Sequence, residues 1–465
     1  MNDAIPKHER LLQGLFRDYE ARYPTSKSAH ERAKKVLIDG VSHGARLFKP
    51  YPFRVIAAQG AHVTDIDGHR IVDFWQGHYA NILGHNPAII REVLVRELEH
   101  GFGLQTGLPE ERQSEFAQAL AQAAGAERVR LTTAGTLATM YAIMLARAFT
   151  KRHLVLKVAG GWHGASPLAL KGVGRRADGY DHVDSAGVPA TTEEEILVVR
   201  FNDVEALKHI FARYGERIAC FIFEPCVGAA GFLPASGDFM RTARELTRQY
   251  GALLILDEVI TGFRFCAGGV QKLYGVQADL TTFGKIIGGG MPLSAVAGRA
   301  DVMELVSESA TPRVWFNGGT FSAHPLALLA GQAMIEHLIA HEAEIYPALA
   351  AKGQRLREGV EAVFKARGVL ARCTGHGNDA LQGGSLATIY FPRDETLQPT
   401  SAEDLQDPAL CDVILREQVL KVGLLLHDVN VAHGLGALSA SHDDEDLAQV
   451  FQACDAFATR LLAGK

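Results

Sequence analysis

From about residue 110 to 300, short β-branched runs alternate with stretches of helical period, and this alternation limits the fold more than any other feature of the chain. Val129–Thr132, Leu154–Val158, Ile196–Phe201, Ile218–Phe223 and Ala252–Leu256 are strand candidates. Helices are expected over Thr136–Phe149 and Asp238–Tyr250, the latter with Asp238 as its N-cap. Strands that are apolar along their whole length are covered on both faces, and strands joined through helices run parallel. The expected class is α/β: a large, mostly parallel sheet with helices on both faces, spanning residues 110–325. Residues 1–109 and 326–465 are richer in helix with a few short strands. They are expected to combine as a smaller α+β domain built from both ends of the chain. Asp39-Gly40 reads as the turn that ends an N-terminal helical stretch, and Asp67-Gly68 as a hairpin turn. The segment Arg372–Asp407, rich in Gly, Pro and polar residues, reads as loop-heavy.

Composition removes several function classes. Of 465 residues, 47% are hydrophobic and 22% charged, and 47 Lys+Arg against 53 Asp+Glu give a net charge of −6. A disordered chain or a fibrous repeat is excluded, and nothing favours nucleic acid or an anionic membrane as partner. No apolar run approaches the ~20 residues of a membrane span. Met1–Arg10 lacks the hydrophobic region of a signal peptide, and Leu461–Lys465 carries no lipidation or sorting signal, so a cytoplasmic location is expected. The six cysteines form no C-x-x-C pair and read as buried thiols in a reducing compartment. His427, His433 and His442 read as packing or solvated residues, and no metal is expected.

In open α/β sheets, ligands bind beyond the carboxyl ends of the strands. Four such places carry reactive or glycine-rich sequence. Thr133-Ala134-Gly135-Thr136 precedes a long helix and reads as a phosphate cup, with a helix start that binds nothing as the alternative. Asp257-Glu258 follows a strongly apolar strand; a carboxylate there holds a cationic ring nitrogen, or else caps a helix. Lys285 sits between Phe283-Gly284 and Gly288-Gly289-Gly290, where burial lowers an amine's pKa and frees it for Schiff-base chemistry. Trp162, between Gly160-Gly161 and His163-Gly164, offers an aromatic face to a planar ligand or packs in the core.

The order and spacing of these features are more specific than any one of them. Lys285 follows Asp257 by 28 positions. The set resembles the class III, ω-aminotransferase-type enzymes of fold type I that use pyridoxal 5'-phosphate (PLP). Within them it is most similar to the glutamate-1-semialdehyde aminomutase subgroup and its transaminase relatives. The likeness is carried by Asp257 through Arg264, by Gly284 through Pro292, by Ile82 through His85 and by Gly319 through Pro325. It extends over roughly residues 36 to 460.

The resemblance implies roles for matching residues. Lys285 would bond to the cofactor and later move protons, and Asp257 would keep the pyridine nitrogen protonated. Trp162 and Val259 would pack on opposite faces of the ring. Thr133, Ala134, Gly135 and Thr136 would cradle the phosphate, with His163 and Glu224 beside the ring. Thr320 would reach the phosphate of a partner subunit, which implies a homodimer with shared sites. Arg46 would bind a substrate carboxylate, and His78 and Tyr79 would line the substrate side.

The chain also departs from the family. The usual Ser-Gly-Thr-Glu of the cup is Ala134-Gly135-Thr136-Leu137, and the Ser-Trp usual in the aminomutases is replaced by Gly77-His78. These changes sit around the substrate more than around Lys285 and Asp257. They favour an aminotransferase that passes an amino group from a small-molecule donor to a carbonyl acceptor. An intramolecular aminomutase is the alternative, and a non-catalytic binding protein is a third reading. No G-x-G-x-x-G follows a strand, which argues against a nucleotide-dependent oxidoreductase.

Overall fold

A computed structural model describes residues 4–100 and 103–464. Met1–Asp3 and Lys465, the outer ends of the two terminal stretches considered above, lie outside the described residues.

Seven strands form the central sheet: β1 (Arg128–Thr132), β2 (Leu154–Val158), β3 (Ile196–Val199), β4 (Ile218–Phe223), β5 (Leu253–Glu258), β6 (Leu280–Phe283) and β7 (Ser294–Gly298). Their spatial order is β1-β7-β6-β5-β4-β2-β3. β7 runs antiparallel to both its neighbours, and the strands from β6 to β3 are parallel. Every residue of β2, β4, β5 and β6 is buried, which is why β4 and the body of β5 read as unbroken apolar runs. The expected α/β class with a mixed, mostly parallel sheet is the class observed.

Helix α1 (Gly135–Thr150) buries Ala138, Ala142, Ile143, Leu145 and Ala146 over one face of the sheet. Helix α2 (Gly237–Tyr250) contributes Phe239, Met240 and Ala243 to the cluster on the other face, with Phe221 and Phe223. Ser236 caps α2 by accepting from the Phe239 amide at 3.1 Å, so Asp238 lies in the first turn and is not the N-cap. β3 stops at Val199 instead of Phe201, just before Asn202 turns the chain at φ 61°. β5 begins at Leu253 and runs on through both acids, because Asp257 and Glu258 still pair with Thr282 and Phe283 of β6. β6 and β7 carried no strand signal of their own: each is four or five residues long, and β7 is Ser-Ala-Val-Ala-Gly.

The two ends of the chain meet in a second apolar cluster, where Leu15, Tyr19 and Phe74 pack with Phe364, Val429 and Phe457. A small sheet of Val55–Gln59, His62–Asp65 and Arg70–Asp73 is extended by Val429–Asn430 from the other end of the chain. Arg372–Asp407 holds three two-residue strands and one short helix between loops. Among the described residues no helix is long and apolar enough to cross a membrane. All six cysteines are buried and free.

Candidate functional site

A cavity of about 240 Å³ opens above the carboxyl ends of the sheet strands. Thr133, Ala134, Gly135, Thr136, Trp162, His163, Glu224, Asp257, Val259 and Lys285 all line it. Thus every residue expected at the cofactor comes together there except Thr320.

The floor of the cavity is set by close approaches. Gly135 begins α1, whose first amides have no partner within the helix and point toward the cavity end. A Cβ on Gly135 would sit 3.0 Å from Val259 Cγ1, and one on Gly284 would sit 3.2 Å from the same atom. Val259 is therefore wedged between the cup and the turn that carries Lys285. Gly164, at φ 84°, passes so near Thr136 that a Cβ would fall 2.4 Å from the threonine Oγ1 and 2.6 Å from its Cα.

The Gly160–Gly164 loop is pinned along its length. The Gly161 carbonyl accepts from Lys157 Nζ at 2.9 Å, the Trp162 amide donates to Glu224 Oε1 at 2.9 Å, and the His163 carbonyl accepts from Thr139 Oγ1 at 2.6 Å. Lys157 is fully buried on β2 and also donates to the carbonyls of Ala169 (3.2 Å) and Lys171 (2.7 Å). Burial pushes its amine down to about 8. Sequence reasoning passed over Lys157, although a lone lysine inside an apolar strand is itself a signal.

Asp257 is buried, and both its oxygens are engaged. Oδ2 pairs with His163 Nδ1 at 2.7 Å; Oδ1 accepts from Thr282 Oγ1 at 2.9 Å and from the Val259 amide at 3.1 Å. Burial holds the His163 pKa below its ordinary value, against the pull of the Asp257 carboxylate. Glu224 accepts from the Trp162 and Gly228 amides, yet burial, with the Asp257 charge adding to it, pushes its carboxyl up to about 7. Lys285 opens onto the cavity at φ 50° and makes no hydrogen bond or ion pair with a side chain among the described residues. Burial lowers its amine pKa, opposed by Asp257 and Glu224.

The remaining predicted residues lie apart from this cavity. Gln76, Gly77, His78 and Tyr79 have φ of 44°, 61°, 60° and 69°, forming one turn of left-handed helix. For residues other than glycine this conformation costs about 1–2 kcal/mol each. Asp73 offsets it by accepting from the amides of Trp75 and Gln76, both at 3.0 Å, and Arg264 donates to the Tyr79 carbonyl. His78 is half-buried beside Trp75 and His43, with ring centroids 4.3 and 5.0 Å away. Tyr79 instead turns into an apolar cluster, edge-on to Phe232 at 5.1 Å, so its ring packs and does not line the cavity. Arg46 is exposed and donates to Ser42 Oγ at 3.1 Å. Thr320 is also exposed; its carbonyl accepts from Gln105 Nε2 at 2.7 Å.

Sequence reasoning missed the wall formed by Ile260, Met291, Pro292, Leu293 and Ser294. It also missed Arg264, a buried guanidinium that donates to Ser385 Oγ (3.3 Å) and has no carboxylate partner among the described residues. Among those residues no group of three His, Cys, Asp or Glu side chains is arranged to hold a metal ion. His433 pairs with Glu417 at 3.5 Å, and His442 contacts Ser439 at 2.9 Å.

A cavity that gathers a free amine, a strand-end carboxylate, an aromatic face and open helix amides suits a planar, phosphorylated aldehyde. Comparison with known proteins agrees. The family model for aminotransferase class III matches residues 44–380. A glutamate-1-semialdehyde 2,1-aminomutase of Desulforudis audaxviator is 38% identical over 431 residues, covering 91% of this chain and 95% of that one. A β-phenylalanine aminotransferase structure from Variovorax paradoxus superposes with a TM-score of 0.83 at 29% identity, covering 97% of each chain. A transaminase structure with PLP bound gives 0.82 at 28%, covering 95% of this chain and 98% of that one.

Proposed function

The chain belongs to the class III aminotransferase family, and on that premise we propose that it moves an amino group within one carboxylate-bearing amino-aldehyde, as a 2,1-aminomutase does. The observation that carries this reading is the 38% identity to an aminomutase across nearly the full length of both chains. It exceeds the 29% identity to the β-phenylalanine aminotransferase. The balance struck from sequence, which favoured a two-substrate aminotransferase, is thereby reversed.

The cofactor is PLP, and the residues present fit it. When bound, it supplies an electron-withdrawing ring that stabilises negative charge at the carbon losing a proton. Lys285 has a lowered pKa and no side-chain partner among the described residues, so its amine would bond to an aldehyde and then carry protons. Asp257 would hold the proton on the pyridine nitrogen, and His163 and Thr282 keep its carboxylate oriented. Trp162 and Val259 would close on the ring from opposite faces. The amides of Gly135 and Thr136, with the Thr133 and Thr136 hydroxyls, would take the phosphate. Their presence answers the loss of the serine hydroxyl at Ala134.

Arg46, with His43 and His78 near it, makes the approach basic, which suits a substrate carboxylate. Thr320, exposed and outside its own cavity, is the residue expected to serve a second subunit. Trp315 and Phe321, exposed and near it in sequence, and the exposed Leu104 and Leu108, which flank the Gln105 that bonds its carbonyl, support a homodimer.

A second reading, transfer between a donor and a separate acceptor, rests on Leu137 and on His78 in place of the usual Ser-Trp. The deciding experiment incubates the purified holoenzyme with glutamate-1-semialdehyde alone. Steady formation of the 2,1-shifted isomer is expected. Product only on addition of a separate amino donor or acceptor would overturn the first reading in favour of the second.

A further inference from the structure

Lys157 is the one charged residue of the buried strand β2, and no carboxylate pairs with it among the described residues. A buried cation without a counter-ion is costly, and it persists only where its donors are used in full. They are: Nζ donates to the carbonyls of Gly161 (2.9 Å), Ala169 (3.2 Å) and Lys171 (2.7 Å). A neutral amine has two N–H groups and the ammonium has three, so three converging carbonyls call for the charged form. Lys157 does not line the cavity, and its role must be carried by the backbone that it holds.

That backbone leads directly to Trp162. The Gly161 carbonyl and the Trp162 amide belong to one peptide unit. Its oxygen accepts from Lys157 Nζ, and its N–H donates to Glu224 Oε1, also at 2.9 Å. A trans peptide unit is planar, and its C=O and N–H point to opposite sides. One rigid plate is therefore gripped from both edges, by a buried cation on one and a buried acid on the other. Glu224 is itself fixed, because its second oxygen accepts from the Gly228 amide at 3.0 Å.

Little else orients this plate. Gly160, at φ 74°, and Gly161 bring no side chain to pack, and Trp162 is 40% exposed, so a surrounding core does not set its direction. The other two carbonyls on Lys157 belong to the segment beside the loop, where the Gly160 amide donates to the Gly172 carbonyl at 2.8 Å. The ammonium thus joins the loop, its neighbouring segment and strand β2 at one atom.

We propose that Lys157 is a positioning residue for the cofactor: by holding the peptide between Gly161 and Trp162 against Glu224, it aims the Trp162 ring at the cofactor face. This rests on the reading of Trp162 at the ring given above, and adds the residue that sets its direction.

The test is a double-mutant cycle in the full chain with Lys157→Met, which keeps the length of the side chain and removes the ammonium, and Trp162→Ala. PLP affinity is measured by equilibrium dialysis, and the visible circular dichroism of the bound cofactor reports the asymmetry of its surroundings. Lys157→Met is expected to weaken PLP binding by at least about tenfold, the effect of one hydrogen bond from a charged donor, and to diminish the dichroism. In the Trp162→Ala background the same change at Lys157 should cost little further, because the ring that it aims is already gone. Lys157→Gln keeps two N–H donors and should recover part of the loss. Thermal unfolding of the apoproteins checks folding, and Lys157→Gln takes the place of Lys157→Met in the cycle if the latter does not fold. Wild-type affinity and dichroism in the Lys157 variants would overturn the positioning role. So would losses that add in full in the double variant, which would leave Lys157 a purely structural cap on three carbonyls. Wild-type PLP affinity in Trp162→Ala alone would instead defeat the placing of Trp162 at the ring, so the two failures are distinguishable.

Discussion

His163 Nδ1 lies 2.7 Å from Asp257 Oδ2, and Thr282 Oγ1 lies 2.9 Å from the other oxygen of the same carboxylate. The acid is thus held from both sides before any ligand arrives. With such preorganisation a proton on the bound cofactor ring would meet a fixed charge, with no reorganisation needed. We expect His163→Ala to retain cofactor while slowing single turnovers by about tenfold to a hundredfold, the worth of one hydrogen bond to a charged group. A rate equal to wild type would show that Thr282 and the Val259 amide orient Asp257 unaided.

Lys285 opens onto the cavity with no side-chain hydrogen-bond or ion-pair partner among the described residues. Lys285→Ala is expected to keep cofactor in the cup and to lower turnover by about a thousandfold or more, since it removes the proton carrier. Repeated turnover of that variant at a near wild-type rate would reject Lys285 as the catalytic base.

Gly164→Ala tests the cup. The new methyl group would meet the Thr136 backbone at 2.6 Å, and φ 84° is itself unfavourable to alanine. Cofactor affinity should fall by about tenfold or more, read by equilibrium dialysis against PLP. Unchanged retention would mean that the Thr136 amide does not hold the phosphate.

Glu258 offers a pH signature away from the chemistry. It accepts from the Val270 amide at 2.7 Å, but burial pushes its carboxyl up to about 7. Its folded pKa therefore lies above its unfolded one. The stability it contributes is complete below pH 4.5 and is lost as pH rises toward about 7, by up to about 3 kcal/mol. Glu258→Gln should flatten that part of the profile in thermal unfolding of the apoprotein from pH 4.5 to 8. A slope identical to wild type would show that Glu258 is ionised throughout.

The residues that meet in the cavity were legible because the physics that marks them is local. An apolar strand ending in an acid, a Gly-flanked lysine and a small-residue helix start each leave a mark in a few adjacent residues. Asp257, Lys285, Trp162 and Gly135 were found in this way. The shape of the turn at 76–79 was not. Gln76, His78 and Tyr79 carry no signal for positive φ, and only the contacts from Asp73 and Arg264, distant in sequence, impose it. Tyr79 was expected on the substrate side together with His78, but the left-handed turn sends the two side chains to different surroundings. Strand β7 was hidden for a simpler reason: small residues that fill a crowded sheet leave no hydrophobic run to read.

The wedge made by Val259 has a further meaning. Its side chain touches the positions where both Gly135 and Gly284 would need a Cβ, so three segments from separate stretches of the chain are mutually sized to one isopropyl group. None of the three can drift in isolation: a Cβ at Gly135 calls for a smaller wedge, and one at Gly284 must also clear Ser294 Oγ, 2.8 Å away. Substitutions at these sites are therefore coupled, and descendants of this sequence would cross that ground in paired steps. The turn at 76–79 makes no such contact with the wedge and answers instead to Asp73, Asn81 and Arg264.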